Sequence, residues 1–98
     1  MKIFVDAAAW IALANVDDEL HSHANQIMSN LLTQRARLVT TEFVLLEVAD
    51  ALAVPNLRPT TIQFINRLRQ APILRIIPVS ENLLAEGWTL YGQRLDKD

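Results

Sequence analysis

The run Ile3-Phe4-Val5-Asp6-Ala7-Ala8-Ala9-Trp10-Ile11-Ala12-Leu13 opens the chain and frames the rest of its reading. Three β-prone apolar residues come first, the pattern of a short strand buried on both faces. The stretch from Ala7 to Ala14 then supplies strong helix formers around Trp10 and Ile11. Asp6 stands where strand gives way to helix, a position at which a short acidic side chain caps the helix N-terminus. The apolar run before Asp6 is far too short for a signal-peptide core or a membrane span, so a cytoplasmic protein is expected.

Outward from that stretch the two periodicities alternate. From Asp17-Asp18-Glu19 onward, Leu20, Ala24, Ile27, Met28, Leu31 and Leu32 recur at helical spacing, with the acids expected in the first turn, where the helix dipole favours them. Leu38-Val39-Thr40 reads as a second strand, and Thr41-Glu42 as the start signal of a helix through Phe43 to Ala53, ended by Pro55. Pro59 suits the first turn of a helix from Thr60 to Gln70, with Ile62, Phe64, Ile65 and Leu68 on its apolar side, and Pro72 blocks continuation. Ile73 to Val79 returns to strand. Ser80 is a candidate cap for a last helix carrying Leu84, Trp88, Tyr91 and Leu95 on one face. No hairpin signal joins the strands, so the expected class is α/β: a single domain with a parallel sheet, right-handed crossovers and the order β-α-α-β-α-α-β-α.

Nine basic residues stand against eleven acidic ones, a net charge of −2, so no overall positive field grips nucleic acid non-specifically. The bases are nonetheless mostly Arg (35, 37, 58, 67, 69, 75, 94), the better fork for phosphate; ion pairs with the acids explain that choice equally well. Cysteine is absent, which excludes thiol catalysis, thiolate metal sites and disulfides.

In open parallel sheets the binding crevice lies outside the carboxyl ends of the strands, here Asp6, Thr40-Thr41-Glu42 and Ser80-Glu81. Glu47, about one and a half turns into the helix after the second strand, has Phe43, Val44 and Ala51 as neighbours at helical spacing. An ionised carboxylate among apolar groups calls for a partner or a hard cation, which makes Asp6 and Glu47 the metal candidates. The plain alternatives are that Asp6 only caps its helix and that Glu47 belongs to a solvated stripe with Asp50. Three other carboxylate or phosphate chemistries fail on position. A receiver domain needs Asp where Ser80 stands, a haloacid-type phosphatase needs Asp-x-Asp where the chain has Asp6-Ala7-Ala8, and no Gly-rich phosphate loop exists, the only glycines being Gly87 and Gly92. His21 and His23 point apart on a helix and make a poor metal pair. Trp10, Trp88 and Tyr91 fall on apolar stripes and read as core before they read as base-stacking platforms.

Taken in order, Phe4 to Leu13, Asp18-x-x-His21, the Thr40-Thr41 pair, Val44-Leu45-Leu46-Glu47-Val48-Ala49-Asp50-Ala51-Leu52 and Ile76-Ile77-Pro78-Val79 resemble successive segments of the PIN domain family, and most closely VapC-type prokaryotic toxins. The resemblance implies a ribonuclease that hydrolyses single-stranded RNA with Mg2+ or Mn2+, with Asp6 and Glu47 as the first two metal-binding acids; because loops after adjacent parallel strands converge, the two are expected close together at the carboxyl edge of the sheet. It also implies a third acid in a motif following Arg-x-Asp-Lys. The chain ends at Arg94-Leu95-Asp96-Lys97-Asp98, so residues 1–98 are expected to form a truncated PIN domain with little activity by itself. Thr41 is expected to cap its helix, the alternative being a hydrogen bond to a metal-bound water or to Asp6. The family strand order, 3-2-1-4-5, would leave Lys2 to Val5 as an open apolar edge, so a homodimer or larger assembly is expected. The rival reading is a non-catalytic interaction module that binds an antitoxin-like helix or itself.

Overall fold

The computed structural model describes residues 1–78 together with 80 and 85. Three strands, β1 (Lys2–Phe4), β2 (Arg37–Thr41) and β3 (Leu74–Ile77), form one parallel sheet in the order β1-β2-β3. Helices α1 (Ala7–Ala14) and α2 (His21–Thr33) connect the first two strands, and α3 (Glu42–Ala51) and α4 (Arg58–Gln70) the last two. The expected α/β order is therefore present through β3, and the expected helix from Ser80 onward lies outside the described residues. β1 pairs only with β2 among the described residues, which leaves its other side as an edge.

Both crossovers step the same way across the sheet, so right-handed connections place α1–α4 on a single face. Burial agrees. Register aligns Ile3 with Leu38 and Leu38 with Leu74, and Thr40 with Ile76. On this face Leu38, Thr40 and Leu74 are buried and Ile3 and Ile76 half-buried. The opposite face carries Lys2, Phe4, Arg37 and Arg75, all exposed. The expectation that β1 is buried on both faces is thus corrected: Phe4 is 58% exposed because all four of these helices cover the other side.

The core gathers Val5, Trp10, Leu38, Leu45, Val48, Leu52 and Leu74, with the Trp10 ring edge-on to Phe64 at 6.2 Å. α3 faces it with Leu45 and Val48, and its C-cap residue Leu52 continues the same stripe at helical spacing. In α4 the buried position is Thr61, with Phe64, Ile65 and Leu68 packed beside it, whereas Ile62 is 54% exposed. The inward stripe therefore starts one residue earlier than hydropathy suggests. This is tolerated because Thr61 Oγ1 donates back to the Leu57 carbonyl (2.8 Å) and so buries no unsatisfied hydroxyl.

α2 begins at His21, later than expected, and no acid occupies its first turn. The preceding residues fold on themselves instead. Asn15 Oδ1 accepts from Asp17 N (3.1 Å) and Asp18 Oδ1 from Leu20 N (2.8 Å), local bonds that compete with helix for just these side chains. At the other end the Ala36 N–H donates to the Leu31 carbonyl (3.0 Å) and the Arg35 N–H to the Leu32 carbonyl (3.1 Å). That is a Schellman cap with Arg35 at φ 56°, the left-handed position that glycine usually fills. A Cβ there costs about 1–2 kcal/mol.

Candidate functional site

Asp6 follows β1 at the carboxyl edge of the sheet and caps α1: its backbone is extended (φ −88°, ψ 177°) and Oδ1 accepts from Ala9 N at 3.1 Å. Because Phe4 is level with Val39, two further residues bring Asp6 level with Thr41, the last residue of β2. Thr41 caps α3, its Oγ1 accepting from Val44 N at 3.1 Å, as expected of it; its own hydroxyl proton remains available to a neighbour.

A buried relay fixes the end of β1 from which Asp6 projects. Trp10 Nε1–H donates to Thr40 Oγ1 (3.1 Å), and Thr40 Oγ1–H donates to the Val5 carbonyl (3.0 Å). Val5 N in turn donates to the Val39 carbonyl (2.9 Å). Thr40 is fully buried and Trp10 2% exposed, so the carbonyl just before Asp6 is held in a dry environment by a hydroxyl that is itself fixed by the indole N–H. Hydropathy marks Trp10 as core, correctly. It does not reveal Thr40, whose hydroxyl faces inward only because its strand position shares the phase of Leu38.

Glu47 lies on α3, which packs against α1. Its side chain is exposed, as are Phe43, Leu46 and Asp50. Glu47 is therefore not desolvated: Phe43 and Ala51 turn to solvent with it, and of its apolar neighbours at helical spacing Val44 alone packs against the core. An open groove of about 310 Å³ runs between β1, α1 and α2 and is lined by Asp6, His23 and apolar residues including Phe4, Leu20 and Ile27. Glu47 is not one of its lining residues.

The two histidines behave differently. His21 Nδ1–H donates to the Ala12 carbonyl (2.7 Å) and Nε2 accepts from Asn25 Nδ2 (3.0 Å), so this ring ties α2 to α1 and has no free nitrogen for a metal. His23 is exposed on the groove that holds Asp6. Among the described residues no group of three or more His, Cys, Asp or Glu is arranged to hold a metal ion. Asp6 and Glu47 fit Mg2+ or Mn2+ in kind, as hard oxygen donors; two carboxylates suit an ion that keeps several waters rather than a closed protein cage.

A three-stranded parallel sheet with two helix pairs on one face, an acid after its first strand and a threonine level with it defines a PIN-like α/β fold. The solved structure of Mycobacterium tuberculosis VapC20, a toxin that cleaves the sarcin-ricin loop, is similar over the whole of this chain, with a TM-score of 0.76 and 22% identity. The match spans 71% of the VapC20 chain. No family model and no curated protein matches the sequence. No helix among the described residues is long and apolar enough to cross a membrane.

Proposed function

We propose that this chain carries the first part of a divalent-metal-dependent endoribonuclease site of the PIN and VapC type, acting on single-stranded RNA, with Asp6 and Glu47 as metal-binding acids. The observation that carries the reading is Asp6 itself. It projects from the carboxyl edge of a VapC20-like sheet, and the buried Trp10–Thr40–Val5 relay pins the backbone that bears it. Bound there, Mg2+ or Mn2+ would supply Lewis-acid activation of water and neutralise charge on a phosphodiester. The chain's own residues do the positioning. The cap to Ala9 N uses Oδ1 and fixes the carboxylate rotamer, leaving the second oxygen for the ion. Thr41, level with Asp6, can offer its proton to a water at the same edge.

A second reading rests on the apolar groove beside Asp6. Phe4, Leu20 and Ile27 are exposed there, which suits an antitoxin-like helix or a second copy of the chain as partner. The deciding experiment is metal-dependent cleavage of single-stranded RNA by a chain carried through the acidic motif that the family resemblance implies beyond Asp98. Cleavage that requires Mg2+ or Mn2+ and disappears in Asp6→Asn supports the nuclease. Metal-independent behaviour, with partner binding intact, supports the interaction module.

A further inference from the structure

Charge is divided unevenly along the chain. Between Ala51 and Ser80 stand four arginines, Arg58, Arg67, Arg69 and Arg75, and no Asp or Glu, so all eleven acids lie elsewhere. Three of the four arginines belong to α4. Helical spacing sets them on two adjacent outer ridges of that helix, one with Arg58, Asn66 and Arg69, the next with Gln63, Arg67 and Gln70, and all six are exposed. This flank does not owe its exposure to whatever follows β3. α4 packs inward on α1, α3 and β3, and a right-handed crossover that steps back from β3 toward β1 runs over the other face of the sheet.

Ordinary helix electrostatics explains only part of the pattern. Arg67 and Arg69 suit the last turn of α4, where the dipole favours cations. Arg58 does not: it opens the helix, where the dipole favours an acid, yet the first turn holds no acid and no side chain caps it. Its Nη2 donates to the Ala53 carbonyl at 2.8 Å, which fixes the guanidinium without neutralising it. Among the described residues none of the three arginines has an ion pair, so on α4 arginine does not serve the acids. A cation kept at the helix end that repels it, on a helix without one acid, is the kind of local conflict that marks function rather than folding.

We propose that the outer flank of α4 binds single-stranded RNA: Arg58, Arg67 and Arg69 contact backbone phosphates, and Gln63, Asn66 and Gln70 hydrogen-bond exposed bases or 2′-hydroxyls between them. Arginine forks match phosphate, and amides that both donate and accept suit the edges of unstacked bases. Arg58 and Arg69 lie about 16 Å apart along the helix axis, so the track takes several nucleotides rather than one phosphate. A protein partner would call for apolar anchors, and Ile62 is the only large hydrophobic residue exposed on α4. The choice of RNA over other single strands rests on the reaction proposed above; the binding itself does not depend on the metal site.

The test is fluorescence anisotropy of a labelled single-stranded RNA of mixed sequence with the 98-residue chain, in chelator so that no metal-dependent step contributes. Each lost phosphate contact lowers the slope of log K against log salt by about 0.7, so Arg67→Gln/Arg69→Gln is expected to lower it by about 1.4 and Arg58→Gln by about 0.7. Arg67→Lys/Arg69→Lys keeps the charge and is expected to hold the slope while losing affinity with the fork geometry. Asn66→Ala is expected to weaken binding about two- to tenfold with the slope unchanged. The Arg67, Arg69 and Asn66 variants, altered only at exposed positions, are expected to melt within a few degrees of the parent. Absence of salt-dependent binding by the parent, or unchanged affinity and slope in Arg67→Gln/Arg69→Gln, overturns the proposal. So does polyglutamate competing as well as RNA, which would assign the flank to an acidic protein, and so does inorganic phosphate competing beyond its ionic strength, which would reduce it to an isolated anion site. Asp6→Asn is expected to bind as the parent does. Cleavage by the extended chain that survives Asp6→Asn would remove the nuclease reading and leave this binding standing; binding that survives loss of the arginines would remove the flank and leave the nuclease reading standing.

Discussion

Thr40→Val isolates the polar relay behind Asp6, because valine keeps the shape of threonine and removes only its hydroxyl. Two hydrogen bonds go with it: Trp10 Nε1–H at 3.1 Å loses its acceptor and the Val5 carbonyl, at 3.0 Å, loses a donor. Neither finds water, since Thr40 is fully buried and Trp10 2% exposed. A buried polar group left unsatisfied costs about 1–3 kcal/mol, so the pair is worth roughly 2–6 kcal/mol, reduced by about 0.8 kcal/mol for burying a methyl in place of a hydroxyl. For a chain of this size each kcal/mol moves the melting point by about 4–8 °C, so a drop of at least about 5 °C is expected by circular dichroism. Thr40→Ser supplies the control. It keeps both bonds and loses one methyl, about 0.8 kcal/mol, with a small addition for the cavity. The reasoning is refuted if Thr40→Val melts at or above Thr40→Ser, because a purely apolar account of this core ranks them in that order.

Asp6 serves two roles that substitution can separate: Asp6→Asn is expected to keep the α1 cap and its stability while abolishing metal-dependent cleavage in the extended chain, whereas Asp6→Ala costs about 1 kcal/mol besides. Glu47→Gln, on an exposed position, is expected to change stability by no more than about 0.5 kcal/mol yet to remove cleavage; full activity would take Glu47 out of the site. Titration calorimetry on the 98-residue chain is expected to find only weak Mg2+ binding, since two carboxylates leave most of the ion's shell to water, and tight stoichiometric binding would contradict the proposed ligand set. Size-exclusion with light scattering is expected to give a dimer or larger assembly, driven by the open β1 edge; a monomer at tens of micromolar (~10–50 µM) with Ile3 to Val5 amides protected from exchange would mean that another element pairs with it.

Much of the frame was legible because its signals are strong and local. Pro59 and Pro72 bracket α4, Thr41 announces α3, and the absence of hairpin turns leaves parallel pairing as the natural outcome. What escaped depends on phase. β1 has only three residues, too few for a period of two to show, so nothing in Lys2-Ile3-Phe4 says which side the helices cover. The same ambiguity hid Thr40 as a buried polar pin and Lys2, Arg37 and Arg75 as neighbours on one face. α2 began late because Asn15 and Asp18 satisfied nearby backbone groups before a helix could. As for the candidate site, Asp6 could be read from its position between strand and helix. Glu47 is exposed, so burial does not single it out, and its candidacy rests on the family resemblance and on the packing of α3 against α1.

The parallel pairing has a kinetic consequence. Lys2 meets Arg37 and Leu38 meets Leu74, so the two ladders close loops of 35 and 36 residues (37 − 2 and 74 − 38). Each closure costs about 3 kcal/mol of chain entropy before any ladder bond forms, and among the described residues no hairpin offers a cheaper first step. The helix pairs can compact locally, but the edge that bears Asp6 exists only once β1 has docked on β2. Folding should therefore be slow for the chain's size, with the Asp6 edge among the last parts to form. Ribosomal synthesis delivers β1 first and its partner only some thirty-five residues later, so the nascent chain carries an unpaired apolar segment while Thr40 is still being made.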